Sequence, residues 1–218
     1  MNARWSVSSF IWARPTLASA GVTITLVLFL LLAHQVHAGE TIQFDVAVHR
    51  FFQSRQSPLI HALMMGVSLF ASGWAISIIS MVCLFALWFR PAFRGRAVSL
   101  LLAGAGGQGI VYLLKALFHR ARPEANFASL GYSFPSGHAF AAVTIYGMLA
   151  CWLIQGERPH RRSGIGLTAA VLILLIGFSR VYLGVHYASD VAAGYAAGVP
   201  WLWGCLALNS RGKAKETI

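Results

Sequence analysis

Residues 97–118 read AVSLLLAGAGGQGIVYLLKALF, with one charged side chain, Lys115, in the whole stretch. A helix rises about 1.5 Å per residue, so this run is long enough to cross a hydrocarbon core of about 30 Å. Gly104, Gly106, Gly107 and Gly109 are small residues that let neighbouring helices approach closely. Similar runs lie on both sides: Thr16–Ala33, Leu59–Phe89, Ala139–Ile154, Gly164–Tyr182 and Ser189–Leu208. The second is too long for one untilted crossing. Gly66 and Ser72-Gly73 offer breaks, so Leu59–Ala71 is expected near the interface and Gly73–Phe89 across it. The reading is an all-α, polytopic membrane protein, a six-transmembrane-helix bundle built as one domain over residues 1–218. Gly194 and Gly198 are expected to serve packing within the chain rather than a dimer.

Composition agrees. The chain is 57% hydrophobic and 11% charged, with mean hydropathy +0.66, whereas soluble domains carry about 25% charged residues. A net charge of +11 would suggest nucleic acid in a soluble protein. Here the cations fall in the short gaps between apolar runs, and nucleic-acid binding is not expected. Cys83, Cys151 and Cys205 all lie inside apolar runs and read as small buried side chains.

Orientation follows from counting. Arg4, Arg14, Arg90, Arg94, Arg96, Arg158, Arg161, Arg162, Arg211, Lys213 and Lys215 share one side, 11 of the 17 Lys and Arg, with Glu157 and Glu216 beside them. The positive-inside rule makes that side cytoplasmic, with both termini on it. Trp12, Trp88, Trp201 and Trp203 are expected at the same boundary. Arg4 and Arg14 before an apolar run and Val36-His37-Ala38 resemble a signal peptide. The run exceeds the usual core of about 7 to 15 residues, so a retained first helix is expected.

Six cations remain: Arg50, Arg55, Lys115, Arg120, Arg122 and Arg180. The first two belong to an external connector, residues 34–57. There Phe44, Val48, Phe51 and Phe52 recur at helical spacing, which fits a short amphipathic helix on the membrane surface as well as a solvated connector. Lys115 sits in a membrane run, where a charge costs about 3 kcal/mol and is a functional hypothesis by default, against a snorkelling lysine. Arg122 precedes Pro123, which disfavours helix at the arginine and turns the chain back towards Lys115. Pro135-Ser136-Gly137-His138 opens the next run, where a capped helix start offers backbone N–H groups to an anion. Ser179-Arg180, His186 and Asp190 form a third cluster, with His186 and Asp190 one helical turn apart. Two crossings separate this cluster from the others, so all three reach the face opposite the cytoplasmic arginines.

Three cations and capping amides suit a tetrahedral anion with several negative oxygens. Two histidines beside it suggest phosphoryl transfer, one attacking phosphorus and one protonating the leaving group. The acids Glu40, Asp45, Glu124 and Asp190 are scattered, and His34, His37 and His49 lack i,i+4 spacing, so neither a catalytic metal nor another cofactor is expected. No role for Arg120 or Glu124 is legible.

Lys115 to Arg122-Pro123, Pro135 to His138, and Ser179-Arg180 to His186 and Asp190 match K-x6-R-P, P-S-G-H and S-R-x5-H-x3-D at every position. On these residues the chain resembles the type 2 phosphatidic acid phosphatases, or lipid phosphate phosphatases, over residues 115–190. The resemblance implies that His186 is the nucleophile forming a phosphohistidine, oriented by Asp190, and that His138 is the general acid. It implies that Lys115, Arg122, Arg180, Ser136 and the Gly137 amide hold phosphate, without a metal. The implied substrate is a lipid phosphate: phosphatidic acid, phosphatidylglycerol phosphate, undecaprenyl pyrophosphate or lipid A phosphate. The implied setting is a bacterial inner membrane, with the site facing the periplasm. A non-catalytic lipid-phosphate binder or transporter is the rival reading, against which both histidines stand. Vanadium haloperoxidases share related residues but are chiefly soluble. The particular lipid and the oligomeric state are not legible.

Overall fold

Among the described residues, Pro58, Pro91 and Pro159 start helical segments, where their fixed φ suits the first turn and their missing N–H costs nothing. The structure, a computed structural model, describes residues 15–123 and 131–214. Arg4, Trp12, Arg14, Glu124, Lys215 and Glu216 lie outside the described residues. Among those described, α1 spans Pro15–His37, α2 Ile42–Gln53, α3 Pro58–Leu69 and α4 Gly73–Trp88. After a 3-10 turn at Pro91–Phe93, α5 spans Arg94–Phe118, α6 Gly137–Leu153, α7 Pro159–Tyr182 and α8 Ala188–Ala214. The described residues contain no strand.

The long second run breaks at Phe70–Ser72, and the Ser72 hydroxyl caps α4 by accepting from Ala75 N–H at 3.2 Å. Five stretches are long and apolar enough to cross a membrane: Ser19–His37, Pro58–Trp88, Arg94–Phe118, Pro159–Tyr182 and Ala188–Leu208. Gly137–Leu153 is apolar but shorter. At about 1.5 Å per residue α6 reaches only about 25 Å, because the chain ahead of its first turn is given over to the Pro135-Ser136 turn. Large apolar side chains such as Trp74, Phe85 and Leu113 are exposed on the outside of the bundle, where lipid rather than water suits them.

Inside, α8 packs along α1 and α6, α7 along α3, and α4 along α5. Leu100, Ile145, Met148 and Cys205 form the core between α5, α6 and α8. Gly194 and Gly198 lie against α6: a Cβ at Gly194 would sit 2.5 Å from the Ser136 carbonyl oxygen, and one at Gly198 3.0 Å from Val143 Cβ. These glycines do serve packing within the chain. In α5 Gly106 lies close against the Trp201 ring and Gly107 against Phe140 and Trp201; Gly104 makes ordinary contact and Gly109 faces open space. All three cysteines are free.

Both α5 and α6 contain a π-helical turn, at Leu102–Gly106 and Ala142–Tyr146, and the two turns touch. The Trp201 indole donates to Leu102 O at 3.2 Å. Trp201, partly buried, therefore packs α8 against α5. The connector differs from expectation. Its helix α2 turns Val48 and Phe52 towards the bundle, Phe52 meeting Phe178 edge-on at 5.3 Å, while Phe44 and Phe51 stay exposed. The aromatic stripe is split between two directions, and the residue α2 buries most completely is Asp45.

Candidate active site

Lys115 and Arg122 reach one another's neighbourhood because α5 stops abruptly. His119 takes a left-handed conformation (φ 47°) and its N–H bonds Lys115 O at 3.1 Å, so the chain reverses at once. Lys115 Nζ donates to Tyr132 O and to Ser133 O, the latter at 3.3 Å. Arg122 donates from Nε to Gly131 O at 2.8 Å and from Nη2 to Tyr132 O at 3.4 Å. The two cations thus share a carbonyl, and lie as close as the turn at Pro123 suggests.

Ser136 caps α6, its hydroxyl accepting from Ala139 N–H at 3.5 Å, and its own N–H donates to Asp190 O at 2.9 Å. That bond ties the second cluster to the third. Arg180, near the end of α7, donates from Nη1 to Ser68 Oγ, while its buried Nε has no hydrogen-bond partner. A buried orphan donor is rare and calls for an explanation. Lys115, Arg122, Gly137, His138, Arg180 and His186 line a single cavity of about 990 Å³. Ser136 and Asp190 stand directly behind it, fully buried.

The cavity has a second character. From the cationic end it continues between α4 and α5 past Ile76, Leu84, Leu101 and Val111. Lys115 and Leu101 are about 21 Å apart along α5 at 1.5 Å per residue, so an apolar channel runs much of the depth of the bundle.

His186 lies in the loop between α7 and α8 and is almost fully buried. Its Nε2 is 3.3 Å from Arg122 Nη1, and its Nδ1 is 3.5 Å from Asp190 Oδ2, within ion-pair reach but without hydrogen-bond geometry. Arginine can only donate. Nε2 therefore accepts, and in the neutral ring the proton sits on Nδ1, facing the carboxylate. Burial pushes the His186 pKa down to about 4, against the opposing pull of Asp190. The ring is neutral at physiological pH, and its Nε2 lone pair meets Arg122 at the cavity wall.

Sequence reasoning missed the residues behind Asp190. Arg120 donates from Nη1 to Asp190 Oδ1 at 2.6 Å and from Nη2 to Asp45 Oδ2 at 2.7 Å. Burial alone would lower the Arg120 pKa, but Asp190 and Asp45 outweigh it and raise it. Two arginines in one short turn were visible; their different partners were not. Ser68, which receives Arg180, carried no signal in the sequence.

The sequence profile of the PAP2 superfamily matches residues 96–213. The chain is 30% identical to phosphatidylglycerophosphatase B of Bacillus subtilis (strain 168), over 78% of this chain and 86% of the relative. It is 28% identical to an undecaprenyl-diphosphatase of Sulfolobus acidocaldarius, over 80% of this chain and 84% of that one. The crystal structure of a transmembrane PAP2 type phosphatidylglycerolphosphate phosphatase from Bacillus subtilis superposes with a TM-score of 0.76 at 24% identity, covering 87% of this chain and 96% of its own. With a profile that spans more than half of its length and a relative aligned along most of it, this chain belongs to the PAP2 superfamily.

Proposed function

We propose that this membrane phosphatase hydrolyses a phosphomonoester or diphosphate of a lipid through a phosphohistidine on His186. The observation that carries the reading is one cavity with a cationic, histidine-bearing end and an apolar channel leading from it between α4 and α5. A lipid phosphate has the same two parts. Its headgroup meets Lys115, Arg122 and Arg180, and its chain lies along the channel. The orphan Nε of Arg180 gives an equatorial phosphate oxygen a donor that is already desolvated.

In the first step the Nε2 lone pair of His186 attacks phosphorus in line, and the bond from phosphorus to the lipid oxygen breaks. His138 gives its proton to that oxygen, so the lipid leaves as an alcohol, or as a monophosphate from a diphosphate. Asp190 faces the Nδ1 proton and stabilises the positive charge that the ring acquires. In the second step His138 takes a proton from water, the water oxygen attacks phosphorus, and the N–P bond breaks. Inorganic phosphate departs and His186 returns to its neutral form. The guanidinium and ammonium groups balance charge on the phosphoryl oxygens, so no metal is needed.

The cations at the α4–α5 and α6–α7 junctions support an inner-membrane orientation with those junctions and both termini cytoplasmic. The site then faces the periplasm, with α6 as the fourth of six crossings. The substrate is a phosphatidic acid, phosphatidylglycerol phosphate, undecaprenyl pyrophosphate or lipid A phosphate type of lipid. Phosphate release by purified protein in detergent, across that panel, tests the reading. Release from at least one lipid is expected, undiminished by EDTA and abolished by His186→Ala. Full turnover by the His186→Ala protein, or a strict metal requirement, would overturn it.

A further inference from the structure

Arg120 lies outside the cavity, on the far side of Asp190, and its guanidinium has partners all round. Nη1 donates to Asp190 Oδ1 at 2.6 Å and Ser189 Oγ at 2.7 Å. Nη2 donates to Asp45 Oδ2 at 2.7 Å and Thr41 Oγ1 at 3.3 Å. The plane of the group lies over the Tyr187 ring, 4.5 Å from its centroid. Asp45 has more than one grip: its Oδ1 accepts from Ser189 N–H at 3.0 Å and its Oδ2 from Ser189 Oγ at 2.6 Å. Both carboxylates are wholly buried.

We propose that Asp45 and Arg120 are a positioning pair for the nucleophile, in which Asp45 on the external helix α2 holds the Arg120 fork and the fork fixes Asp190 against His186. The inference rests on His186 being the nucleophile. Asp190 Oδ2 is left with Tyr187 N–H at 3.0 Å and His186 Nδ1 at 3.5 Å. Rotating the carboxylate to loosen its grip on His186 would also break the short bond from Arg120. Charge explains why a second acid is present. A guanidinium paired with Asp190 alone would cancel the carboxylate that must face a developing imidazolium. Asp45 takes half of the arginine and leaves Asp190 its negative character. A lysine cannot perform this bridge, because a point charge does not span two carboxylates with two parallel donors.

The test uses full-length protein purified in detergent, with short-chain phosphatidic acid or whichever lipid of the panel the wild type turns over. Variants are Asp45→Asn, Asp45→Glu, Arg120→Lys and the double variant Asp45→Asn/Arg120→Lys, each assayed per folded molecule after size exclusion. Asp45→Asn should lower kcat by about tenfold, the cost typical of losing a partner that orients an active group. KM should stay within about twofold, since the pair does not touch substrate. Adding Asp45→Asn to Arg120→Lys should cost little more, because the fork it serves is already gone.

The acid limb of the pH profile separates positioning from a merely structural role. The charged or titratable groups facing His186, namely Lys115, Arg122, His138, Arg180 and Asp190, are unchanged in Asp45→Asn. Removing one negative charge behind Asp190 moves the limb to lower pH, whereas loosening the fold would hydrate His186 and move it upwards. Asp45→Glu should restore part of the lost kcat. The proposal is overturned if Asp45→Asn leaves kcat within about twofold of wild type, if the two substitutions multiply independently, or if the limb moves up. Should Arg120→Lys fail to fold, the two Asp45 variants and the pH profile decide alone. Turnover by His186→Ala would sink both this inference and the proposed function. A dead His186→Ala beside an unaffected Asp45→Asn would sink only this one.

Discussion

In the proposed mechanism the protonation state of the His186 ring sets the pH range of the reaction. The ring must be neutral to attack, and burial holds its pKa down to about 4. Activity should therefore rise as pH climbs through about 4 and be level well before an ordinary imidazole, near 6.5, would have lost its proton. The measurement is kcat/KM against pH, and a limb near 6.5 would contradict it. Asp190 raises that pKa, so Asp190→Asn should move the limb lower still, with a fall in kcat of about 10²-fold or more. His138→Ala should harm an alkyl phosphate far more than an aryl phosphate, whose leaving group needs no proton; equal losses would count against the acid role. Seven of the eight candidate residues were legible as polar side chains where the surrounding sequence is apolar or turns; Gly137 was legible only by its place between Ser136 and His138. Asp45 was not, since one acid in a polar connector looks solvated. Only the fold shows that it is buried against Arg120.

Among the helices, glycine has two different meanings, and substitution separates them. A Cβ at Gly194 would strike the Ser136 backbone oxygen, which cannot swing aside, so Gly194→Ala should cost about 1–3 kcal/mol and disturb the cap beneath the site. Gly109 faces open space, and Gly109→Ala should be neutral or stabilising by up to about 1 kcal/mol through helix propensity. Thermal unfolding in detergent, with activity measured alongside, checks both. Helix existence was readable from hydropathy, and the break at Ser72 from the Ser72-Gly73 pair. The π-turns were not, because they arise where α5 and α6 press together. The Trp201 contact was hidden for the same reason: a tryptophan in an apolar run does not reveal that a neighbouring helix offers its indole a carbonyl.

Across the whole molecule, chain reversals gather residues from one end of the bundle and send the arginine-rich junctions to the other. A cysteine at Ser54→Cys, exposed beyond α2, should react with a membrane-impermeant maleimide on intact cells, and His160→Cys should react only after permeabilisation. The native cysteines lie within apolar helices and should stay silent. The reverse pattern would invert the orientation argued from charge. The Asp45–Arg120 bond also bears on any attempt to recombine such enzymes. The amino-terminal third of the chain carries one half of an ion pair whose other half stands behind Asp190 and His186, so on the proposed positioning role it is not an exchangeable module. A chimera that borrows a foreign first helix and connector inherits whatever acid that donor presents to Arg120. Grafts chosen for chain length or lipid preference alone will give well-inserted but sluggish catalysts unless an acid at the position of Asp45 travels with them.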